Sequence, residues 1–256
     1  MNNSINTGQE RSSVQHWDDV YKNVQRFKSL YLYNQQLLDV ITRSLGNKLK
    51  DKKILEVGCG KGKESLELSR AGAEVTGIDF SHNAISSLKN IIEATSSKMT
   101  ALQCDARNLP FQGNSFDLVF SQGVIEHFTN PQPLLREQFR VLKPGGIIVV
   151  EVPNKYNIYT IYKHVMMFLR KWPPGWETEF SPKQLTKTII EAGFEPKGIV
   201  GWDTFSLRAI RKISKRFRIA EKPEKLWQKQ LRRKVEGKPI ITWLSLSLTI
   251  IAQKPL

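Results

Sequence analysis

The sequence predicts an α/β fold: an open, mainly parallel sheet with helices on its faces. Three observations carry this. An apolar run, Ile54-Leu55-Glu56-Val57, ends in glycines at alternate positions (Gly58, Gly60, Gly62) and passes into a helix-like stretch. Further short strands follow, each delivering polar residues at its carboxyl end, where open α/β sheets bind ligands. Late in the chain Leu244, Leu246, Leu248 and Ile250 alternate with Ser245, Ser247 and Thr249, the period of a strand.

In chain order, Val14 to Leu49 is helix-like, with Trp17 and Tyr21 four residues apart and therefore on one face. Ala73 to Asp79 reads as a second strand, and Ser81 caps a helix over 82–94. A third strand, Met99 to Cys104, ends at Asp105. A fourth, Phe116 to Ser121, runs into Gln122-Gly123-Val124-Ile125-Glu126-His127. Ser181-Pro182-Lys183-Gln184 starts another helix, with serine as cap, proline in the first turn and glutamine where a capping box expects it; Gly193 ends it.

The glycine loop admits three readings. Glycine punctuation alone marks a turn. A dinucleotide loop needs G-x-G-x-x-G, one residue longer than the spacing here. The pattern Glu-x-Gly-x-Gly-x-Gly instead puts a carboxylate just before the glycines, which repels a pyrophosphate and suits a ligand carrying an ammonium group, as S-adenosylmethionine does. Asp79 falls roughly 20 residues beyond the loop, where a ribose-binding acid is expected. A strand-end turn or helix cap is the competing role for Asp79 or Asp105 taken singly.

Several segments agree in order and spacing: Ile54 to Gly62, Gly77-Ile78-Asp79, Asp105-Ala106, Phe116-Asp117-Leu118-Val119, Val141-Leu142-Lys143-Pro144-Gly145-Gly146, and later Ala192-Gly193-Phe194. On these the chain, over about residues 50–155, resembles the class I S-adenosylmethionine-dependent methyltransferases, of the broad group that includes the ubiquinone and menaquinone biosynthesis methyltransferases. The resemblance implies a Rossmann-like seven-stranded sheet in the order 3-2-1-4-5-7-6. The last strand is antiparallel, the fifth covers Gly146 to Val152 and the sixth about Phe194 to Gly201. It implies S-adenosyl-L-methionine as cofactor and S-adenosyl-L-homocysteine as product. Glu56 and the Gly58, Cys59, Gly60 and Gly62 backbone would hold the methionine part, Asp79 with Phe80 the ribose side, Asp105 and Ala106 the adenine, and Ser121 and Gln122 the floor. The N-terminal segment would form a lid, with ordinary packing of Trp17 and Tyr21 as the competing role.

The bound sulfonium already activates its methyl group, so transfer can be driven largely by positioning and desolvation. Some acceptors also need a base. His127 is the candidate, since an imidazole pKa of about 6.5 suits proton transfer near neutrality; a structural histidine capping the Thr129-Asn130-Pro131 turn is the competing role. Between the fifth strand and Phe180 lie Tyr156, Tyr159, Tyr162, Met166, Met167, Phe168, Trp172 and Trp176, broken by Pro173-Pro174-Gly175. Such side chains make an adaptable apolar wall over an active site, or a satellite core. Trp17, Tyr21, Tyr156 and Trp176 are the candidate acceptor contacts.

At 256 residues and 40% hydrophobic content the chain can bury a proper core. One domain is expected, divided into a tail and lid (1–49), a cofactor-binding core (50–152), a substrate cap (153–180) and a basic helical insertion (204–238). Two cysteines, Cys59 and Cys104, suggest neither a disulfide framework nor a metal site, and a reduced cytoplasmic setting follows. The formal net charge is +15, and residues 204–238 hold 13 basic and 3 acidic side chains. Leu207, Ile210, Ile213 and Phe217 would share one face of a helix there, with arginines and lysines opposite. An anionic membrane surface, a nucleic acid or plain solvent can face that charge. The expected acceptor is small and hydrophobic or lipid-like. A nucleic-acid methyltransferase is the alternative, although Ser121-Gln122-Gly123-Val124 is not the Asn/Asp-Pro-Pro-Tyr/Phe motif of amino-group methylators. A non-catalytic cofactor-binding protein is the third.

Overall fold

Strand residues facing opposite ways are apolar on both sides, so the sheet must be covered twice. The computed structural model describes residues 13–22, 35–169, 177–202 and 245–256. Its helices are α1 (Val14–Lys22), α2 (Gln35–Ser44), α3 (Lys63–Arg70), α4 (His82–Thr95), α5 (Gln132–Val141), α6 (Ile158–Phe168) and α7 (Pro182–Glu191). Its strands are β1 (Lys53–Val57), β2 (Glu74–Asp79), β3 (Thr100–Gln103), β4 (Phe116–Gln122), β5 (Leu142–Pro153), β6 (Glu195–Trp202) and β7 (Ser247–Gln253). They form one sheet in the order β3-β2-β1-β4-β5-β7-β6. Strand β7 runs antiparallel to both neighbours, with Val150 and Ile199 flanking Ile250.

Leu55, Val57, Val119 and Val150 point to one face and pack with Leu134 of α5 and Leu185 and Ile189 of α7. Ile54, Val75, Leu118 and Val149 point to the other, against Leu37 and Ile41 of α2, Leu68 of α3 and Leu88 of α4. Fully burying one such side chain contributes about 1.5–3 kcal/mol. Strand order reverses between β1 and β4, which pair from Ile54↔Leu118 to Val57↔Ser121. That reversal opens a crevice at their carboxyl ends.

The differences from the sequence reading are local. The helix-like stretch 14–49 contains α1 and α2, and α2 ends at Ser44. Strand β5 starts at Leu142 because its pairing with β4 begins ahead of Gly146, with a register shift between Phe116 and Leu118. Residues 1–12, Trp172, Trp176 and the basic run 204–238 lie outside the described residues.

The cap that follows β5 leaves and re-enters the sheet at one place. Asn154 and Phe180 form a bridge, and the Lys155 amide donates to the Phe180 carbonyl at 3.0 Å. Asn154 is fully buried and donates from Nδ2 to the Ser245 carbonyl at 2.8 Å. Asn157 then caps α6 through Oδ1, which accepts from the Thr160 amide at 3.0 Å.

Helix α7 carries the expected capping box. Ser181 Oγ accepts from the Gln184 amide at 3.2 Å, and Gln184 Oε1 accepts from the Ser181 amide at 3.0 Å. Ser181→Ala removes one of these bonds and is expected to lower stability by about 1 kcal/mol, read from the shift in urea midpoint at unchanged slope.

Candidate functional site

The crevice between β1 and β4 is lined by backbone that bends in ways few side chains allow. Gly58 has φ of 71°, and a Cβ there would stand 2.4 Å from Val124 Cγ2. Glycine therefore lets the loop after β1 lie directly against the turn after β4. Gly60 has φ of 51°, and a Cβ there would meet the Tyr21 hydroxyl at 2.6 Å.

Asp79 at the end of β2 ties this loop down. Its Oδ2 accepts from the Gly60 amide at 3.0 Å and its Oδ1 from the Ser81 amide at 2.9 Å. Burial raises its pKa to about 6, against the pull of those amides. Glu56 is also buried and accepts from Ser65 Oγ through Oε2. Burial, then the nearby charges of Glu64 and Asp79, push its carboxyl well above the usual range. Cys59 sits among these acids, and burial followed by Glu56 and Asp79 raises its thiol pKa, which keeps it unreactive.

Helix α1 closes over the loop. Asp18 accepts from Ser81 Oγ at 2.5 Å and from the Asn83 amide at 3.2 Å through Oδ1, while its carbonyl accepts from Asn83 Nδ2 at 3.0 Å. Trp17 packs edge-on against His127 with ring centroids 4.8 Å apart, and Tyr21 lies 6.2 Å from Trp17. Trp17, Tyr21, His127 and the glycine loop, far apart in sequence, are thus brought together.

Other expected site residues lie around this centre. The Phe80 carbonyl accepts from Gln103 Nε2 at 3.0 Å. Asp105 is half-buried and held by Arg107, whose Nε reaches both carboxylate oxygens at 2.9 and 3.0 Å. Burial raises its pKa, but the hydrogen bonds and charge of Arg107 outweigh this and leave it lowered. Ala106 packs on the core beside it. Ser121 ends the buried part of β4, and its Oγ lacks a hydrogen-bond partner among the described residues. Gln122 Nε2 donates to Glu151 Oε1 at 3.4 Å. Tyr156 stands 45% exposed at the foot of α6; Trp176 is outside the described residues.

The sequence reading passed over four groups of interest. Asp18 lies beside the singled-out Trp17. Glu126 adjoins His127 and is only 2% exposed. Glu151 on β5 is buried, and burial raises its pKa to about 7 despite bonds from Gln122 and Thr249. Lys163 on α6 is 1% exposed and pairs with Glu177 at 2.9 Å and Glu179 at 3.0 Å.

These residues fit S-adenosylmethionine. Buried carboxylates are stabilised by an incoming positive charge, and this ligand brings an ammonium and a sulfonium. A carboxylate has about four lone-pair sites, so Asp79 keeps acceptor capacity beyond the two amides it already serves.

Residues 55–150 match a methyltransferase domain family. The ubiquinone biosynthesis O-methyltransferase of Dinoroseobacter shibae is 29% identical over 209 residues, spanning 75% of this chain and 83% of that protein. The protein of the same name from Coxiella burnetii (strain Dugway 5J108-111) is 30% identical over 181 residues, spanning 69% of this chain and 76% of its own. A SAM-dependent methyltransferase structure from Thermotoga maritima superposes with a TM-score of 0.63 at 17% identity, covering 94% of this chain and all of that one. At that identity the likeness is one of fold.

The α1 closure depends on Asp18. Asp18→Ala is expected to speed amide hydrogen exchange across residues 14–22 at least about 10-fold while the central strands keep their protection, because the three bonds to Ser81 and Asn83 converge on that residue.

Proposed function

This chain belongs to the class I S-adenosylmethionine-dependent methyltransferases, and on that premise we propose that its acceptor is a small, hydrophobic molecule methylated on oxygen. What carries this reading is the pair of relatives named as O-methyltransferases of ubiquinone biosynthesis, each matched over most of its own length. The apolar side chains of the cap support it: Val165, Phe168 and Leu169 of the α6 region are all at least half exposed.

The residue roles follow from the chemistry of each group. Glu56 and the Gly58 to Gly62 backbone take the methionine end, where a buried carboxylate complements an ammonium group. Asp79 accepts from the ribose hydroxyls with the lone pairs its two amides leave over. Asp105 and the Ala106 amide meet the adenine, Asp105 being kept ionised by Arg107. Bound S-adenosylmethionine supplies an electrophilic methyl group on a sulfonium. Trp17 and Tyr21 close the site from above, and desolvation there strengthens every charge interaction within it.

Two measurements check this. Purified protein is incubated with methyl-labelled S-adenosylmethionine and whole-cell extract, which is then partitioned. Label in the organic phase is expected; label in nucleic acid would overturn the acceptor assignment. Calorimetric affinity for S-adenosylmethionine should also rise with pH through about 6, since the ribose hydroxyls need Asp79 ionised, and Asp79→Asn should weaken binding at least about 10-fold and flatten that rise. Ligand-free stability moves the other way. A carboxyl whose folded pKa is raised stabilises fully below its unfolded value of about 3.9, and that contribution is lost as pH rises through about 6.

A further inference from the structure

The cap and the turn after β4 meet at a group of buried ionisable side chains that the cofactor residues do not use. Glu126 lies in the short 3₁₀ turn Ile125–His127. Its carbonyl accepts from the Thr178 amide at 2.7 Å, which pins the returning end of the cap against it. Lys163 reaches the same place from α6, but its ammonium is shared between Glu177 and Glu179, both largely buried. His164 Nε2 also meets Glu179 Oε1 at 2.6 Å. Among the described residues Glu126 Oε2 is buried with no hydrogen-bond partner, and so is Ser121 Oγ at the end of the strand that leads into this turn.

An orphaned carboxylate oxygen in such a place is an acceptor awaiting a donor. Among the described residues Lys163 is the cation that opposes the Glu126 charge, and a ligand carrying an O–H brings the donor that this oxygen can accept. Resting on the methyl-transfer reading above, we infer that Glu126 is the residue that hydrogen-bonds the proton-bearing atom of the methyl acceptor and takes its proton. The acceptor is therefore one with an O–H at the methylated atom. The proton passes to Glu126 Oε2, the acceptor's electron pair forms the new bond to the methyl carbon, and the carbon–sulfur pair returns to sulfur as the neutral thioether. His127, whose ring packs against Trp17, shapes the wall beside it.

The electrostatics agree with this geometry. Burial, then Glu177 and Glu151, push the Glu126 carboxyl well above the usual carboxylate range, with Lys163 opposing. A base must be deprotonated to act, so turnover rises with pH through that raised pKa. The groups that face Glu126 are Glu151 from β5, Lys163 from α6 and Glu177 from the end of the cap.

The test uses the extract fraction that the unaltered enzyme labels, supplied below saturation from pH 5 to 9. Glu126→Gln should cut the rate at least about 100-fold and abolish the acidic limb, with S-adenosylmethionine affinity within twofold and a thermal transition that shows the protein folded. Glu126→Asp, one methylene shorter, should keep the limb at a lower rate. His127→Ala should keep the limb as well. A Glu126→Gln enzyme with unchanged rate and limb overturns the inference, as does loss of the limb in His127→Ala alone. An unaltered enzyme that labels nothing removes the methyl-transfer reading and this inference together, whereas label confined to nucleic acid removes only the acceptor assignment, and the Glu126 variants are then run on that fraction.

Discussion

Asp79 holds the two halves of the site in register. One carboxylate oxygen takes the Gly60 amide and the other the Ser81 amide, so a single side chain fixes the loop after β1 to the start of α4. From that junction the remaining geometry follows. Ser81 caps α4 through the Ala84 amide at 3.2 Å and also donates to Asp18, which sets α1 over the loop. With α1 in place, Tyr21 stands over Gly60 and Trp17 against His127. A carboxylate so deeply buried is costly to ionise, and the fold offsets this with backbone amides instead of a cation.

The same design recurs around the carboxyl edge of the sheet. Glu56, Glu151 and Glu126 are each buried with raised pKa values. Their hydrogen-bond donors are neutral: Ser65 for Glu56, Gln122 and Thr249 for Glu151, and its own backbone amide for Glu126. Stability alone would favour apolar residues at these positions, since replacing buried charges by well-packed hydrophobes is often neutral or stabilising. Their grouping at the strand ends, and not through the core, is the arrangement that the proposed methyl transfer draws on.

Much of this was legible in the sequence. Strand order and the antiparallel β7 came from family resemblance, while the capping box at Ser181 and the cap at Ser81 came from local side-chain chemistry that needs no tertiary context. The glycine loop was legible because positive φ leaves a residue-type signature. Glu126 was not. Its distinguishing property is a carboxylate oxygen with no partner among the described residues, which shows only once those residues have been placed. Lys163 was hidden among aromatic and methionine residues, its role depending on Glu177 and Glu179 folding back across the cap. Asp18 meets Ser81 across a separation of 63 residues, beyond any local pattern. Strand ends such as the start of β5 depended on pairing registers that periodicity does not fix.

The place of β7 has a consequence for how the chain reaches this state. Strands β5 and β6 touch only through it, one on each side. As the polypeptide emerges from the ribosome, β1 to β5 can assemble while β5 still presents an open edge, and such an edge invites pairing with another chain. The Asn154 side-chain amide, which anchors the cap to the Ser245 carbonyl, gains that one bond only at the same moment. The first five strands are therefore in place before the chain that follows β5 can be tied back to the sheet through β7.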